Sequence, residues 1–250
     1  MRIALCQIAT STDSVDENVS KIMKCLNCNA EVYVFPEMFL TGYFSKKDDP
    51  EGMRNALDRL LAITKDEGIC IVVGGPEYTE EGTFNSAYVI SDTVRTYRKI
   101  HLPSFPPFAE KDRFKSGRSP FTFDFKGVRF GLCTCYDVFF PEQLKSCTMD
   151  GSTVNIVISA SPITSRQAFE RILPARALEN TSYLVFVNNI GTYDGMEFFA
   201  GSRVINPDGS QAIISEVEGV TVFFHDKEVV NRARKARPVI DDTVSDFTWN

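Results

Sequence analysis

Three short stretches of the sequence hold side chains that could do covalent chemistry. "VRFGLCTCYDVFFPE", residues 128–142, is an alternating strand pattern that runs into Cys135, then Tyr136, Asp137 and a proline-opened helix start. A thiol there sits at a strand's end beside the backbone N–H groups of the next turn, which suits a nucleophile. The alternative is one more buried, inert cysteine. A free thiol is mostly protonated at neutral pH, so a nucleophile needs a base or a cation beside it. "TYRKIHLP", 96–103, offers the cation: Lys99 at a strand's end could steady a thiolate and later an oxyanion, unless it is simply a solvated lysine. His101, two residues on, is expected to pack or to brace the loop. "VYVFPEMFLTGY", 32–43, places one carboxylate, Glu37, among Met38, Phe39 and Leu40, away from the water that would solvate it.

Those stretches must be brought together by the elements around them. Short apolar runs at 2–7, 32–35, 69–74, 86–90, 121–125, 128–133, 154–159, 183–188, 201–205, 211–214 and 219–224 read as strands, several buried on both faces. Val15, Val19, Ile22 and Leu26 recur at helical spacing behind Asp13 as a cap, and Leu57, Leu60, Leu61 and Thr64 do so after Pro50. Pro141 opens another helix; 167–180 reads as one too, with Pro174 marking a kink or arguing against it. βαβ runs in the first third and the centre, with antiparallel hairpins at 81–100 and 201–224, imply a layered α/β fold with a mixed sheet. Residues 101–120 are the longest stretch without periodicity, a length more often functional than accidental in a compact domain.

Composition fits one soluble globular domain over residues 1–250, with 43% hydrophobic and 24% charged residues. A net charge of -6 with scattered Lys and Arg leaves no footprint for nucleic acid or an anionic membrane. "MRIALCQIAT" is too short for a signal peptide and no window reaches the length of a membrane span, so a cytoplasmic protein is expected. The cysteine count of 7 is odd, and Cys6, Cys70 and Cys133 lie in apolar runs, which points to reduced thiols. Cys25 and Cys28 form a lone C-x-x-C on a helix with no second ligand pair, so neither a metal nor another cofactor is expected. Cys133 shares a strand face with Cys135 but lies inside the strand, as a packing residue. Glu142, in the first turn of its helix, suits the helix dipole and is expected to brace the nucleophile's turn.

"FPEMFLTGY", "YRKIHLP" and "GLCTCYDVFFPE", in that order, resemble the Glu, Lys and Cys motifs of the nitrilase, or carbon-nitrogen hydrolase, superfamily. "PARALEN" (174–180), "NNIG" (188–191) and "GSRVINPDG" (201–209) extend the likeness over nearly the whole chain. The resemblance implies an α/β four-layer αββα sandwich with two mixed β-sheets, and a catalytic set of Glu37, Lys99 and Cys135. "AEKDRFKSG" is similar to the family's second-glutamate motif and supplies Glu110, although Arg113 stands where an aromatic is common. An apolar surround disfavours a charged carboxylate and suits it to accept a proton, which would make Glu37 the general base. It would take the Cys135 proton as sulfur attacks an amide carbon, pass it to the leaving amine, then activate the water that hydrolyses the thioester. Lys99 and the backbone N–H of Tyr136 would hold the oxyanion, and Glu110 would orient Lys99 or the substrate nitrogen.

After Cys-Tyr-Asp many members carry an arginine where this chain has Phe139, so Phe139 is a candidate substrate contact and a substrate acid group at that point is disfavoured. Phe105, Phe108, Pro106 and Pro107 suit a partly apolar pocket wall. The expected activity is hydrolysis of a small non-peptide amide through a cysteine thioester, releasing ammonia or an amine. N-carbamoyl amine or amino-acid hydrolysis is the alternative within the superfamily. The rivals are a Cys-His hydrolase or acyltransferase with His101 as base, and a binding or regulatory protein that keeps the fold. Val244, Phe247 and Trp249 would make a sticky tail in solvent, which suggests a homodimer.

Overall fold

The computed structural model describes residues 1–244. Strands β1 (Arg2–Gln7), β2 (Val32–Val34), β3 (Cys70–Thr79), β4 (Gly82–Ile90), β5 (Val94–Arg98) and β14 (Gly219–Phe224) form one sheet, in the order β14-β1-β2-β3-β4-β5. A second sheet, ordered β13-β12-β9-β8-β7-β6, is made of β6 (Phe121–Phe125), β7 (Val128–Thr134), β8 (Val154–Ser159), β9 (Tyr183–Asn188), β12 (Ser202–Ile205) and β13 (Gln211–Ser215). Each sheet is mixed: β1, β2 and β3 run parallel in the first and β7, β8 and β9 in the second, with antiparallel strands outside them.

The period of two along each strand sorts side chains into layers. Ile3, Leu5, Val34, Val72 and Val89 point inward and meet Leu132, Ile156 and Val185 of the facing sheet. Ala4, Cys6, Ile71 and Ile90 point outward and are covered by Val19 and Ile22 of α1 (Val15–Cys25) and Leu60 of α2 (Pro50–Glu67). On the far side, α4 (Pro141–Met149) and α5 (Arg166–Asn180) lay Leu144, Phe169 and Leu173 over Val157, Leu184 and Phe186. The order of layers is therefore αββα. A short helix α3 (Glu110–Arg113) interrupts the 101–120 loop, and α6 (Lys227–Ala236) follows β14.

Several local expectations change. Asp13 does not cap α1; it has φ 60 and accepts from Ser45 Oγ at 2.6 Å, while Ser14 occupies the cap position and Leu26 falls in a 3-10 turn. Helix α5 runs unbroken through Pro174, which costs it a single backbone donor. β14 leaves the 201–224 segment and pairs antiparallel with β1, which would otherwise expose a bare sheet edge. A hairpin of β10 (Ile190–Tyr193) and β11 (Met196–Phe199) also exists, turned by Asp194 and Gly195 at φ 50 and 77, as an Asp-Gly pair permits.

Candidate active site

The three motif stretches end at one place, beyond the C-terminal ends of β2, β5, β7 and β8. Glu37 follows Pro36 in a turn whose next residue, Met38, has φ 53. Gly74 of β3 makes that turn possible, because a Cβ there would collide with Met38 N and lie 2.6 Å from Glu37 Cα. The contact is fastened by Gly74 N donating to Pro36 O at 3.1 Å and Leu40 N donating to Gly74 O at 3.0 Å. Lys99 lies two residues beyond the inward-facing Tyr97 and so points to the same side. Its N–H donates to Asn85 O, and its carbonyl accepts from Gly117 N, both at 2.8 Å. Cys135 leaves β7 with φ 49 and opens a 3-10 turn, Cys135–Phe139.

The side chains converge on the lysine. Lys99 Nζ donates to Glu37 Oε1 at 2.7 Å and to Glu110 Oε1 at 2.8 Å, with all three residues buried. Glu37 Oε1 also accepts from Asn85 Nδ2, and Glu37 Oε2 from Ala160 N, each at 2.8 Å. Glu110 Oε1 accepts from the Tyr43 hydroxyl at 2.6 Å, while its Oε2 is buried without a partner among the described residues. Cys135 Sγ lies 3.3 Å from Ser161 Oγ, which is 2.7 Å from Ser159 Oγ.

Burial alone would lower the Lys99 pKa, but the charges of Glu110 and Glu37 outweigh it and hold the ammonium well above its usual value. Burial raises Glu110, the opposing pull of Lys99 notwithstanding. Burial first, then the charge of Glu37, pushes the Cys135 thiol up to about 12, against the lowering influence of Lys99 and of Ser159 and Ser161. The resting thiol therefore keeps its proton. Lys99 is engaged with two carboxylates and does not by itself supply a standing thiolate, so any nucleophilic use of this sulfur would need a base.

The same geometry bears on the remaining expectations, correcting those for Glu37 and Glu142. Glu37 does not sit in an apolar pocket: Phe39 and Leu40 turn away toward the helix layer, and the carboxylate is solvated by an amide, an ammonium and a backbone N–H in place of water. Glu142 is exposed at the start of α4, and the turn that carries Cys135 is braced by Asp137 instead, whose carboxylate accepts from Thr134 N at 3.1 Å. His101 does brace its loop, with its ring stacked 3.5 Å from Phe140. Cys133 is fully buried against α4 and α5. Phe139 is half-buried, 5.2 Å from the Phe169 ring and 5.8 Å from that of Tyr136. The Tyr136 N–H is one of those the first turn of a 3-10 helix leaves without an internal partner.

Asn85, Tyr43, Ala160 and Ser161 were not singled out in the sequence. A faint signal existed for Asn85, a lone amide at an inward position in step with Ala87 and Val89. A cavity of about 450 Å³ lined by Tyr43, Phe44, Phe108, Glu110, Arg113 and Phe114 adjoins the cluster. A larger one, about 590 Å³, opens at the opposite strand ends around Arg2, Glu31 and Ile69, away from these groups.

A protein called nitrilase from Pyrococcus abyssi is 30% identical over 228 residues, covering 83% of this chain and 82% of its own. The 2-oxoglutaramate amidase of Bacillus subtilis is 28% identical over 98% of each chain. An amidase from Nesterenkonia sp. AN1, solved with acrylamide added at its active-site cysteine, superposes with a TM-score of 0.83 at 28% identity, over 95% of this chain and 99% of that one. A glutamine-dependent NAD+ synthetase from Acinetobacter baumannii superposes with a TM-score of 0.84 at 25% identity, and this chain spans 46% of its length. With residues 2–238 also matching the family model for carbon-nitrogen hydrolases, from β1 through the motifs that meet at Lys99 and on to α6, this chain belongs to the carbon-nitrogen hydrolase family.

Proposed function

We propose that the chain hydrolyses a small non-peptide amide through a thioester on Cys135, releasing ammonia or an amine. The observation that carries this reading is the buried ammonium held between two carboxylates, 2.7 Å from Glu37 and 2.8 Å from Glu110, in the cluster whose charges act on the protonated thiol. Glu37 takes the thiol proton as sulfur adds to the carbonyl carbon, and the oxygen becomes an oxyanion held by Lys99 and the Tyr136 N–H. Each such donor contributes about 3 kcal/mol of transition-state stabilisation. Glu37 then gives the proton to the nitrogen, the C–N bond breaks and the thioester remains. Water, deprotonated by Glu37, adds to that carbon, and the departing sulfur regains a proton. Glu110 Oε2, which has no partner among the described residues, would accept an N–H of the substrate amide.

Two amidases among the relatives support an amide substrate, and the relative called nitrilase makes nitriles the competing class that the assay below separates. The aromatic rings of the adjoining cavity, Tyr43, Phe44, Phe108 and Phe114, suit a partly apolar acyl group, with Lys46 and Arg113 also on its wall. A homodimer is part of the proposal, suggested by the apolar Val244, Phe247 and Trp249 in the C-terminal sequence. Ammonia release from a panel of amides, nitriles and carbamoyl amines tests the activity. Primary amides are expected to turn over, and Cys135→Ala to lose at least about 10³-fold in kcat. Turnover of nitriles alone, or activity surviving Cys135→Ala, would refute the reading.

A further inference from the structure

Asp137 lies two residues past Cys135 and is fully buried, yet the chemistry above gives it no part. Its Oδ2 accepts from the Tyr97 hydroxyl at 2.7 Å and from Thr134 N at 3.1 Å. Its Oδ1 accepts from His101 N at 2.8 Å and faces His101 Nδ1 at 2.9 Å. A carboxylate is the acceptor in that last contact, which assigns the ring proton to Nδ1.

The partners are placed in a telling way. Tyr97 and His101 stand two residues before and two after Lys99, on the edge of the first sheet. Thr134 and Asp137 bracket Cys135, at the end of a strand in the second. Capping the 3-10 turn needs only the bond to Thr134. The bonds to Tyr97 and His101 reach 40 and 36 residues back along the chain, to the other sheet. Both partners are themselves fixed, Tyr97 by Gln143 Nε2 donating to its hydroxyl at 2.8 Å and His101 by its stack on Phe140. Elsewhere the two sheets meet through apolar side chains, whose attraction is non-directional, and through polar ties from Gln7 to Ser202 and Ser215 and from Glu37 to Ala160, none of which reaches the turn that carries Cys135. Reacting groups must be held to within about 0.5 Å.

We propose that Asp137 is a positioning residue that sets the separation of Lys99 Nζ from Cys135 Sγ, by clamping Tyr97 and His101 to the nucleophile's turn. It acts through these neighbours and holds no reacting atom itself. The turnover arm of the test rests on the amide-hydrolase reading; the alkylation arm does not.

Asp137→Asn keeps the shape but turns an N–H₂ group toward donors on one side of the clamp. Its kcat for an amide is expected to fall about tenfold to a hundredfold, with KM held within about twofold, because the loss is confined to alignment in the transition state. Tyr97→Phe keeps the ring but removes the hydroxyl's two bonds, the one to Asp137 and the one from Gln143, and is expected to lower kcat about threefold to tenfold. The rate at which iodoacetamide alkylates Cys135 at one fixed pH, followed by peptide mass, is expected to drop in both variants as the nascent thiolate loses its fixed cation. An inactive wild type would refute the amidase reading and leave alkylation to decide the clamp. If Asp137→Asn does not fold, Tyr97→Phe carries both measurements. Unchanged kcat and unchanged Cys135 alkylation in the folded variants, even with a lowered Tm, would overturn the proposal and leave Asp137 a structural cap.

Discussion

Lys99 has no water to fall back on, and its removal strands two carboxylates. Lys99→Ala is therefore expected to destabilise the fold by about 3–5 kcal/mol, as breaking a buried ion pair does. It is also expected to cut kcat by about 10²–10³-fold through the lost oxyanion donor. Urea unfolding and steady-state kinetics read the two effects separately. His101 stands nearby with its Nδ1 turned to Asp137, and His101→Ala is expected to keep kcat within about tenfold of wild type, the loss of one brace. The reverse ranking, with His101→Ala inactive and Lys99→Ala active, would move the base to the imidazole. At this scale the residue types and their order were legible in the sequence, but the surroundings of Glu37 were not. Its donors Asn85, Lys99 and Ala160 lie 48, 62 and 123 residues away, so no local window could reveal that the carboxylate is hydrogen-bonded rather than held among apolar groups.

Among the elements, the turn at Glu37 depends on the strand beside it. Gly74→Ala would drive a methyl group into Met38 N and Glu37 Cα, so the turn has to move while β3 keeps its pairing with β4. We expect about a hundredfold loss of kcat with little change in far-UV circular dichroism, since a displacement of about 1 Å at a catalytic group has that effect. Wild-type kcat in Gly74→Ala would mean that the turn does not hold Glu37 in its working place. Strand faces and the helices at Val15, Pro50 and Pro141 were readable because periodicity is local. The pairing of β14 with β1 was not, because a strand's partner across the fold leaves no mark on its own alternation. The β10–β11 hairpin was readable in principle from Asp194-Gly195, a turn signal lost among short polar residues.

Over the whole molecule, the sandwich brings sulfur, ammonium and two carboxylates from four separate segments to one end of two stacked sheets. The family match supports that architecture from residue 2 to 238. Of the apolar tail, Val244 is exposed, whereas Phe247 and Trp249 lie outside the described residues. Gel filtration of the full chain and of one ending before Val244 is expected to show a dimer and a monomer; equal elution volumes from two folded chains would remove the tail from the interface. The convergence itself is tested most directly by mixing the protein with a small primary amide, quenching in acid within the first turnovers, and weighing its peptides. An added acyl mass on the Cys135 peptide, present in wild type and missing in Glu37→Gln, is the expected result. Ammonia release with no acyl mass on Cys135, or with the acyl group on another residue, would contradict it.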